Sequence, residues 1–265
     1  KILGAKKAGH TGTLDPMVTG VLPVLLNRAT RLSNYFMKKD KEYVGKMLLH
    51  RDITEEELKR FMDNFIGKIM QKPPVKSRVK RVLRERIVNK FKIIKKEGRV
   101  VEFVSDVQAG TYIRKLISDL GEKIGGAHMI ELRRIRAGIF KEIESHKIEE
   151  IENAFKEWKA GREEKLRKML IPAEIVKQVI TSVQVKEESV KELLNGKPLM
   201  KSEVKEIPNS EIVSVFYKDR FIGIYKRVAS SSPDENLKDS QIFALRGKAS
   251  NDETSIFAKP EFVLN

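Results

Sequence analysis

The chain has 265 residues, enough to bury one large hydrophobic core and a smaller second one. Its formal net charge is +16, with 53 Lys and Arg against 37 Asp and Glu, and the resulting positive field attracts phosphate backbones. The absence of cysteine excludes disulfides and thiolate metal sites, and no apolar run is long enough for a membrane span. We therefore expect a two-domain protein that binds nucleic acid, although a charged, heat-adapted surface would explain part of this composition.

The periodicity of apolar residues predicts the first elements of a larger domain. Residues 53–70 have helical spacing, and Thr54 with Glu57 matches a capping box at their start. Residues 82–107 change to the pattern of two antiparallel strands joined by a turn that contains Gly98. A sheet with at least one packed helix is therefore expected.

Two further helices follow the predicted strands. Residues 111–124 return to helical spacing and end at a pair of glycines, which is typical of a helix terminus. Residues 148–170 predict a highly charged helix that ends just before Pro172. We place the domain boundary at Pro172 because the pattern changes after it.

The remainder predicts a small β module. Residues 212–217 and 221–228 have strand patterns around a Lys218-Asp219 turn, and a further strand is predicted near residue 256. Residues 229–240 are rich in Ser, Asp and Asn and predict a loop. The predicted fold class is α/β (α+β), with a larger domain of residues 1–172 on a mixed, mainly antiparallel sheet and a small β domain of residues 173–265.

The segment GHTGTLDP, residues 9–16, is the densest unusual segment. Its two glycines and its proline indicate a fixed backbone that presents Asp15. An Asp-Pro pair is by itself more often a turn or a helix cap, so spacing alone leaves both interpretations open. Arg114, at the start of the 111–124 helix, could keep such a carboxylate ionised because a guanidinium does not lose its charge. It could equally be an ordinary solvated arginine.

Other residues are candidates for RNA contacts. Tyr43 begins a predicted strand and could stack on a base or belong to the core. Clustered cations could neutralise phosphates or form a solvated surface; they are Lys76, Arg78, Lys80, Arg133 and Arg134. The histidines are too scattered to suggest a metal site without other ligands, and we predict no metal.

Five segments, in this order, resemble the family of pseudouridine synthases that includes bacterial tRNA pseudouridine synthase B, archaeal guide-RNA-dependent synthases and dyskerin. GHTGTLDPMVTGVLP resembles the catalytic loop, KEYV the tyrosine strand, QKPPVKSRVKR a proline-containing basic segment, AGTYIRKL the arginine motif and GGAHMIELRRIRAG a late motif. LHRD, LRKMLIPAE and SVQVKEESVKELLNGKPL are similar to the archaeal and dyskerin branch, and the last resembles the start of a PUA domain, a small RNA-binding barrel. Arg51 and Lys72 depart from the glycine and the arginine of the family, and residues 229–256 match only loosely.

The resemblance implies isomerisation of uridine to pseudouridine in structured RNA without a cofactor. Asp15 attacks the target nucleotide, the N-glycosidic bond breaks, and the uracil rotates and rejoins the ribose through C5. Tyr43 is expected to stack on the flipped base, and His10 to fill the space it vacates. Thr13 is expected to contact the substrate, and Arg114 to pair with Asp15 and fix its orientation.

For the archaeal branch, the resemblance implies a box H/ACA guide RNA, an rRNA or tRNA substrate, and three small proteins: a zinc-ribbon-like, a β-barrel and a kink-turn-binding subunit. It implies the cytoplasm for an archaeal protein and the nucleolus for a eukaryotic one. The alternatives are a guide-independent tRNA T-loop synthase and a non-catalytic RNA-binding scaffold. We also expect the N-terminal segment of the family, which helps to complete the C-terminal module, to be missing from this sequence.

Overall fold

The chain folds into two units, each with its own hydrophobic core. In the computed structural model, which describes residues 2–73, 80–228 and 255–264, one unit is Lys1–Met169 and the other is Leu170–Asn265. The predicted boundary at Pro172 lies among the first residues of the second unit. Among the helices of these described ranges, none combines the length and the apolar character needed to cross a membrane.

A mixed, mainly antiparallel sheet is the frame of the first unit, as predicted. The strands of its described residues are β1 (Ala8–His10), β2 (Val18–Gly20), β3 (Val24–Leu26), β4 (Lys41–Leu49), β5 (Gly67–Gln71), β6 (Arg84–Glu97), β7 (Val100–Val107), β8 (Ala127–Ala137) and β9 (Phe140–Lys141). The helices are α1 (Ser33–Met37), α2 (Glu55–Asp63), α3 (Ile113–Ile124), α4 (Ile148–Lys159) and α5 (Glu164–Met169). The strand order is β2-β8-β4-β7-β6-β5, with β9 beside β8, and β2 is parallel to β8. Strands β1 and β3 pair separately.

The core of this unit lies between the sheet and helices α2 and α3. Alternate residues of β4 and β7, such as Met47 and Phe103, are fully buried, as are Leu116 and Leu120 of α3. Burial of each such side chain contributes about 1.5–3 kcal/mol. The core therefore fixes α3, and with it Arg114, against the sheet.

Two of the predicted helices were too long. The helix predicted over residues 53–70 begins with the expected cap, where Thr54 Oγ1 accepts a hydrogen bond from the Glu57 amide at 3.2 Å, but it ends at Asp63. Gly67, with φ +95°, begins β5 instead. The prediction for residues 64–70 was wrong because the apolar spacing there fits a strand as well as a helix.

The helix predicted over residues 148–170 is also interrupted. It consists of α4 and α5, separated by a turn at Gly161 with φ +85°, a conformation that glycine adopts easily. The predicted strand pair is confirmed as β6 and β7, and Gly98 in their turn has φ +56°. The helix predicted over residues 111–124 is confirmed as α3, which ends at Gly125 in the left-handed conformation.

The second unit contains the predicted β module. Its described elements are β10 (Ser182–Gln184), α6 (Val190–Leu194), β11 (Leu199–Met200), β12 (Ile212–Tyr217), β13 (Arg220–Arg227) and β14 (Ile256–Val263). The strand order is β10-β12-β13-β14-β11. Burial raises the pKa of Tyr225, whose hydroxyl donates to the Leu193 carbonyl at 3.1 Å. The loop predicted at residues 229–240 lies outside the described residues.

Candidate active site

The loop between β1 and β3 presents Asp15 at the surface. Its two ends are held together because the Thr11 amide donates to the Pro23 carbonyl at 3.2 Å. A tight turn follows Asp15, where the Val18 amide donates to the Asp15 carbonyl at 2.8 Å. The Asp15 side chain is 51% exposed, so a carboxylate oxygen can be reached from solvent.

Close contact with β8 requires a glycine in this loop. Gly20 has φ +103°, and a Cβ atom there would lie 2.1 Å from the carbonyl oxygen of Arg134. The Val21 amide donates to that same carbonyl at 2.8 Å. Only glycine therefore allows the loop to approach the strand, and this approach fixes the backbone that carries Asp15.

The arginine motif supplies the partner of the carboxylate. Arg114 lies in the first turn of α3, and its Nη2 donates a hydrogen bond to Asp15 Oδ2. Both side chains are about half exposed. The ion pair orients Asp15, while the exposed part of the carboxylate remains accessible from solvent.

Tyr43 lies beside this pair. It is half-buried on β4 and packs against the edge of the core. Burial raises its pKa, the positive charge and hydrogen bond of Arg134 lower it, and the negative charge of Asp15 raises it. The hydroxyl therefore stays protonated at neutral pH, and the site combines a carboxylate, a guanidinium and a neutral aromatic ring.

The sequence that builds this site matches a known family. Residues 1–113 match the N-terminal domain of TruB family pseudouridylate synthase, and residues 114–177 match the C-terminal domain of tRNA pseudouridylate synthase B. The chain belongs to the TruB family of pseudouridine synthases. Asp15, Tyr43 and Arg114 all lie within these two matches.

Archaeal members of the TruB family are similar to this chain. A probable tRNA pseudouridine synthase B of Korarchaeum cryptofilum is 46% identical over 73% of this chain and 60% of its own length. The corresponding protein of Archaeoglobus fulgidus is 38% identical over 90% of this chain and 75% of its own length. That of Methanocaldococcus jannaschii is 45% identical, and this chain spans 59% of its length.

Similarity to solved structures extends to the second unit. A chain from a Cbf5-Nop10-Gar1 complex has a TM-score of 0.83 and 36% identity, with coverage of 99% of this chain and 78% of its own. A chain from an H/ACA ribonucleoprotein bound to a substrate RNA containing 2'-deoxyuridine has a TM-score of 0.82 and 33% identity, with coverage of 100% and 78%.

Other predicted contact residues lie around the Asp15 loop. His10 is exposed, and its Nδ1 accepts a hydrogen bond from the Gly12 amide at 3.3 Å. Thr13 is also exposed. Arg133 is half exposed; its Nη1 donates to Thr19 Oγ1 at 3.2 Å, and it forms an ion pair with Glu142. Their roles in substrate binding stay predictions.

The predicted basic segment is described only at its end. Lys80 is exposed, which suits contact with a phosphate. Lys76 and Arg78 lie outside the described residues.

Arg134 does not occupy the surface position that the sequence predicted. It is 2% exposed, and its guanidinium donates to the carbonyls of Val21 and Gly12. A guanidinium enclosed in this way does not face solvent, so the prediction of an RNA contact for Arg134 was wrong. Arg133 is half exposed and Arg134 is buried because successive side chains of a strand point to opposite faces of the sheet.

Gln71 was not predicted as a functional residue. It is 2% exposed at the end of β5; its Nε2 donates to the Tyr112 carbonyl at 3.2 Å, and its Oε1 accepts from the Tyr112 amide at 3.0 Å. The two bonds fix the backbone immediately before α3 and thus the origin of the Arg114 side chain. A buried glutamine at a strand end has no periodic signal, because polar residues there normally face water.

We expect Gln71→Leu to destabilise the protein. The change removes both hydrogen bonds of Gln71 to the Tyr112 backbone, and the loss of the acceptor of the Tyr112 amide costs about 1–3 kcal/mol. The Tyr112 carbonyl still accepts from the Leu116 amide at 3.0 Å. Chemical denaturation would measure the loss. Gln184→Leu is the matched control, because exposed Gln184 also donates to a carbonyl, at 3.1 Å from Lys218 O. Equal losses for the two variants would show that Gln71 has no special anchoring role.

Lys41 is a buried cation near the Asp15 loop. It is 6% exposed, and its Nζ donates to the carbonyls of Met37 and Lys39. Burial and the charge of Arg134 lower its pKa from 10.5 to about 8. Between about pH 8 and pH 10.5, Lys41 therefore binds more protons in the unfolded chain than in the folded chain. The contribution of Lys41 to the free energy of unfolding rises with pH over this range.

This linkage predicts a pH-dependent difference between the wild type and Lys41→Met. From about pH 8 to about pH 9.5, the unfolding free energy of the wild type should rise by about 1–2 kcal/mol relative to the variant. Loss of the two carbonyl contacts adds an offset that does not depend on pH. Denaturation curves at both pH values provide the measurement, and a constant difference between the proteins would contradict the lowered pKa.

Proposed function

We propose that the chain converts uridine to pseudouridine in RNA, with Asp15 as the nucleophile. The observation that carries this proposal is the ion pair between Arg114 of α3 and Asp15 of an exposed loop in a TruB family protein. The bond between ribose C1' and uracil N1 breaks, and a bond between C1' and C5 forms. The C5 proton is lost and N1 gains a proton, so the reaction is balanced without a cofactor.

Each residue of the site has a role in this reaction. Asp15 attacks the ribose or the pyrimidine ring, and both paths use the same carboxylate. Arg114 holds that carboxylate in one orientation. Tyr43 offers its ring to a uridine that has left the base stack, because a base inside a helix cannot reach Asp15.

The substrate proposed first is RNA selected by a guide. The similar solved chains occur in H/ACA assemblies with Nop10 and Gar1 and with a substrate RNA, and they correspond to nearly all of this chain. We propose equivalent partners here: a guide RNA, a small zinc-ribbon-like protein, a small β-barrel protein and a kink-turn-binding protein. The relatives are archaeal, which favours a cytoplasmic location over a nucleolar one.

The two units have different proposed roles. The first unit, which contains Asp15, Tyr43 and Arg114, carries out catalysis. The second unit, a five-stranded sheet with a buried core, is proposed as a PUA-like domain that binds RNA. The net charge of +16 supports RNA binding because cations release counterions from phosphates.

The names of the relatives support a second candidate, a guide-independent tRNA synthase. A direct assay separates the two. Pseudouridine formation would be measured in a tRNA transcript alone and in a guide-plus-target RNA set with the small partner proteins, using wild type and Asp15→Ala. If the wild type acts only on the guide-plus-target set, the first proposal is supported. If it acts on the tRNA transcript alone, the second proposal is supported.

The same assay tests the enzyme against a non-catalytic scaffold. Asp15→Ala should bind RNA and form no pseudouridine. Equal activity of the two proteins would show that Asp15 is structural. Absence of activity with both RNA sets, from a wild-type protein that binds them, would favour the scaffold.

A further inference from the structure

Arg134 is a charged side chain in an unusual place. It is among the largest fully buried side chains of the described residues, at 2% exposure, although a guanidinium stays charged at every physiological pH. Removal of a charge from water is costly unless each donor finds an acceptor. An arginine on the surface would avoid this cost. The buried position of Arg134 therefore implies that its side chain makes a specific contribution to the structure or the function.

The partners of Arg134 belong to the site and not to the core. Its Nε donates to the Val21 carbonyl at 2.8 Å, and its Nη2 donates to the Gly12 carbonyl at 3.0 Å. Gly12 and Val21 lie on opposite sides of Asp15 in the loop. The guanidinium also lies close enough to the Tyr43 hydroxyl for its charge and hydrogen bonding to lower the pKa of that group. One rigid, planar group thus joins both sides of the nucleophile loop to the aromatic residue beside it.

The backbone of Arg134 adds to the same connection. Its carbonyl accepts the Val21 amide at 2.8 Å, and it lies where a Cβ of residue 20 would clash. Main chain and side chain therefore hold one segment from two directions. Loss of the side chain alone would leave the pairing of β2 with β8 in place and release the Gly12 side of the loop.

We propose that Arg134 is a positioning residue that holds the Asp15 loop at a fixed separation from the Tyr43 ring. The kinetic part of this proposal depends on the proposed synthase function. Arg134 itself touches no reacting atom; it acts through the carbonyls of Gly12 and Val21 and through the Tyr43 hydroxyl. A shift of the nucleophile by about 1 Å can reduce a rate by about 100-fold, so a small release of the loop should have a large effect.

Two substitutions test this role. Arg134→Met keeps much of the volume and removes all donors, whereas Arg134→Lys keeps the charge and can reach fewer acceptors at once. Arg136→Met is the matched control: Arg136 is a partly buried arginine on the same strand, but it pairs with Asp106 and Glu42 instead of the loop. Comparison with this control separates loop positioning from a general loss of buried charge pairs.

Two measurements are made on each full-length variant. Amide hydrogen exchange over residues 9–23 reports the loop, with exchange in α3 as an internal reference. Single-turnover pseudouridine formation at saturating RNA, with RNA affinity measured separately, reports catalysis. We expect Arg134→Met to exchange faster in the loop and to lose about 100-fold in rate at unchanged affinity. Arg134→Lys should fall between it and the wild type, and Arg136→Met should keep the wild-type rate.

The contrary results are distinct. Unchanged loop exchange in Arg134→Met, or faster exchange at an unchanged rate, would overturn the positioning role. If Arg134→Met does not fold, Arg134→Lys decides by the same two measurements. If the wild type forms no pseudouridine, the proposed function and the kinetic part of this inference fail together, and loop exchange by itself decides whether Arg134 holds the loop.

Discussion

Asp15→Asn should abolish pseudouridine formation, with a rate loss of at least about 10⁴-fold, while RNA affinity does not fall. Asparagine has nearly the same shape as aspartate, so the loop keeps its backbone contacts. The amide is a far weaker nucleophile than a carboxylate, and it cannot form an ion pair with Arg114. A catalytic role therefore predicts loss of turnover from a folded protein that still binds its substrate.

Asp52→Asn is the control for this experiment. Asp52 is also an exposed carboxylate paired with an arginine, since Arg99 Nη2 lies 2.7 Å from its Oδ2. Both variants lose one negative charge and one surface ion pair, but only Asp15 belongs to the proposed site. Rates from single-turnover assays and affinities from filter binding would be compared. Similar rates for the two variants would refute the nucleophile assignment.

The sequence predicted much of the frame because periodicity reflects burial. The alternation in residues 82–107 follows a strand pair with one face in the core, and the spacing of α3 follows a helix with one buried stripe. The prediction from periodicity failed where an apolar residue fits both the helical period of about 3.6 residues and the strand period of about 2. Ile69 continued the helical spacing of α2, yet it lies in β5 after the turn at Gly67.

The site was only partly visible in the sequence. Asp15 and Arg114 were candidates because resemblance to a family joined two short motifs, and no local pattern relates residues 99 positions apart. Gln71, Lys41 and Arg134 support the site from buried positions. Polar and charged side chains are mostly exposed in proteins, so only the fold shows the backbone carbonyls to which these three donate.

The ion pair itself makes the second strong prediction: Arg114→Ala should reduce the single-turnover rate by about 10²–10³-fold. RNA affinity should stay near that of the wild type, because this guanidinium is directed at Asp15 instead of a phosphate. Arg114→Lys should recover part of the rate, since an ammonium keeps the charge but cannot reproduce the planar set of donors.

Arg99→Ala provides the matched control for Arg114→Ala. The side chains of Arg99 and Arg114 are 50% and 53% exposed, and each pairs with an exposed aspartate. Loss of a surface ion pair typically costs about 0–1 kcal/mol, so both variants should remain folded. A slow Arg114→Ala beside a normal Arg99→Ala would assign the effect to orientation of Asp15. An equal loss of RNA affinity and rate in Arg114→Ala would instead show that Arg114 binds RNA, and the orienting role would be wrong.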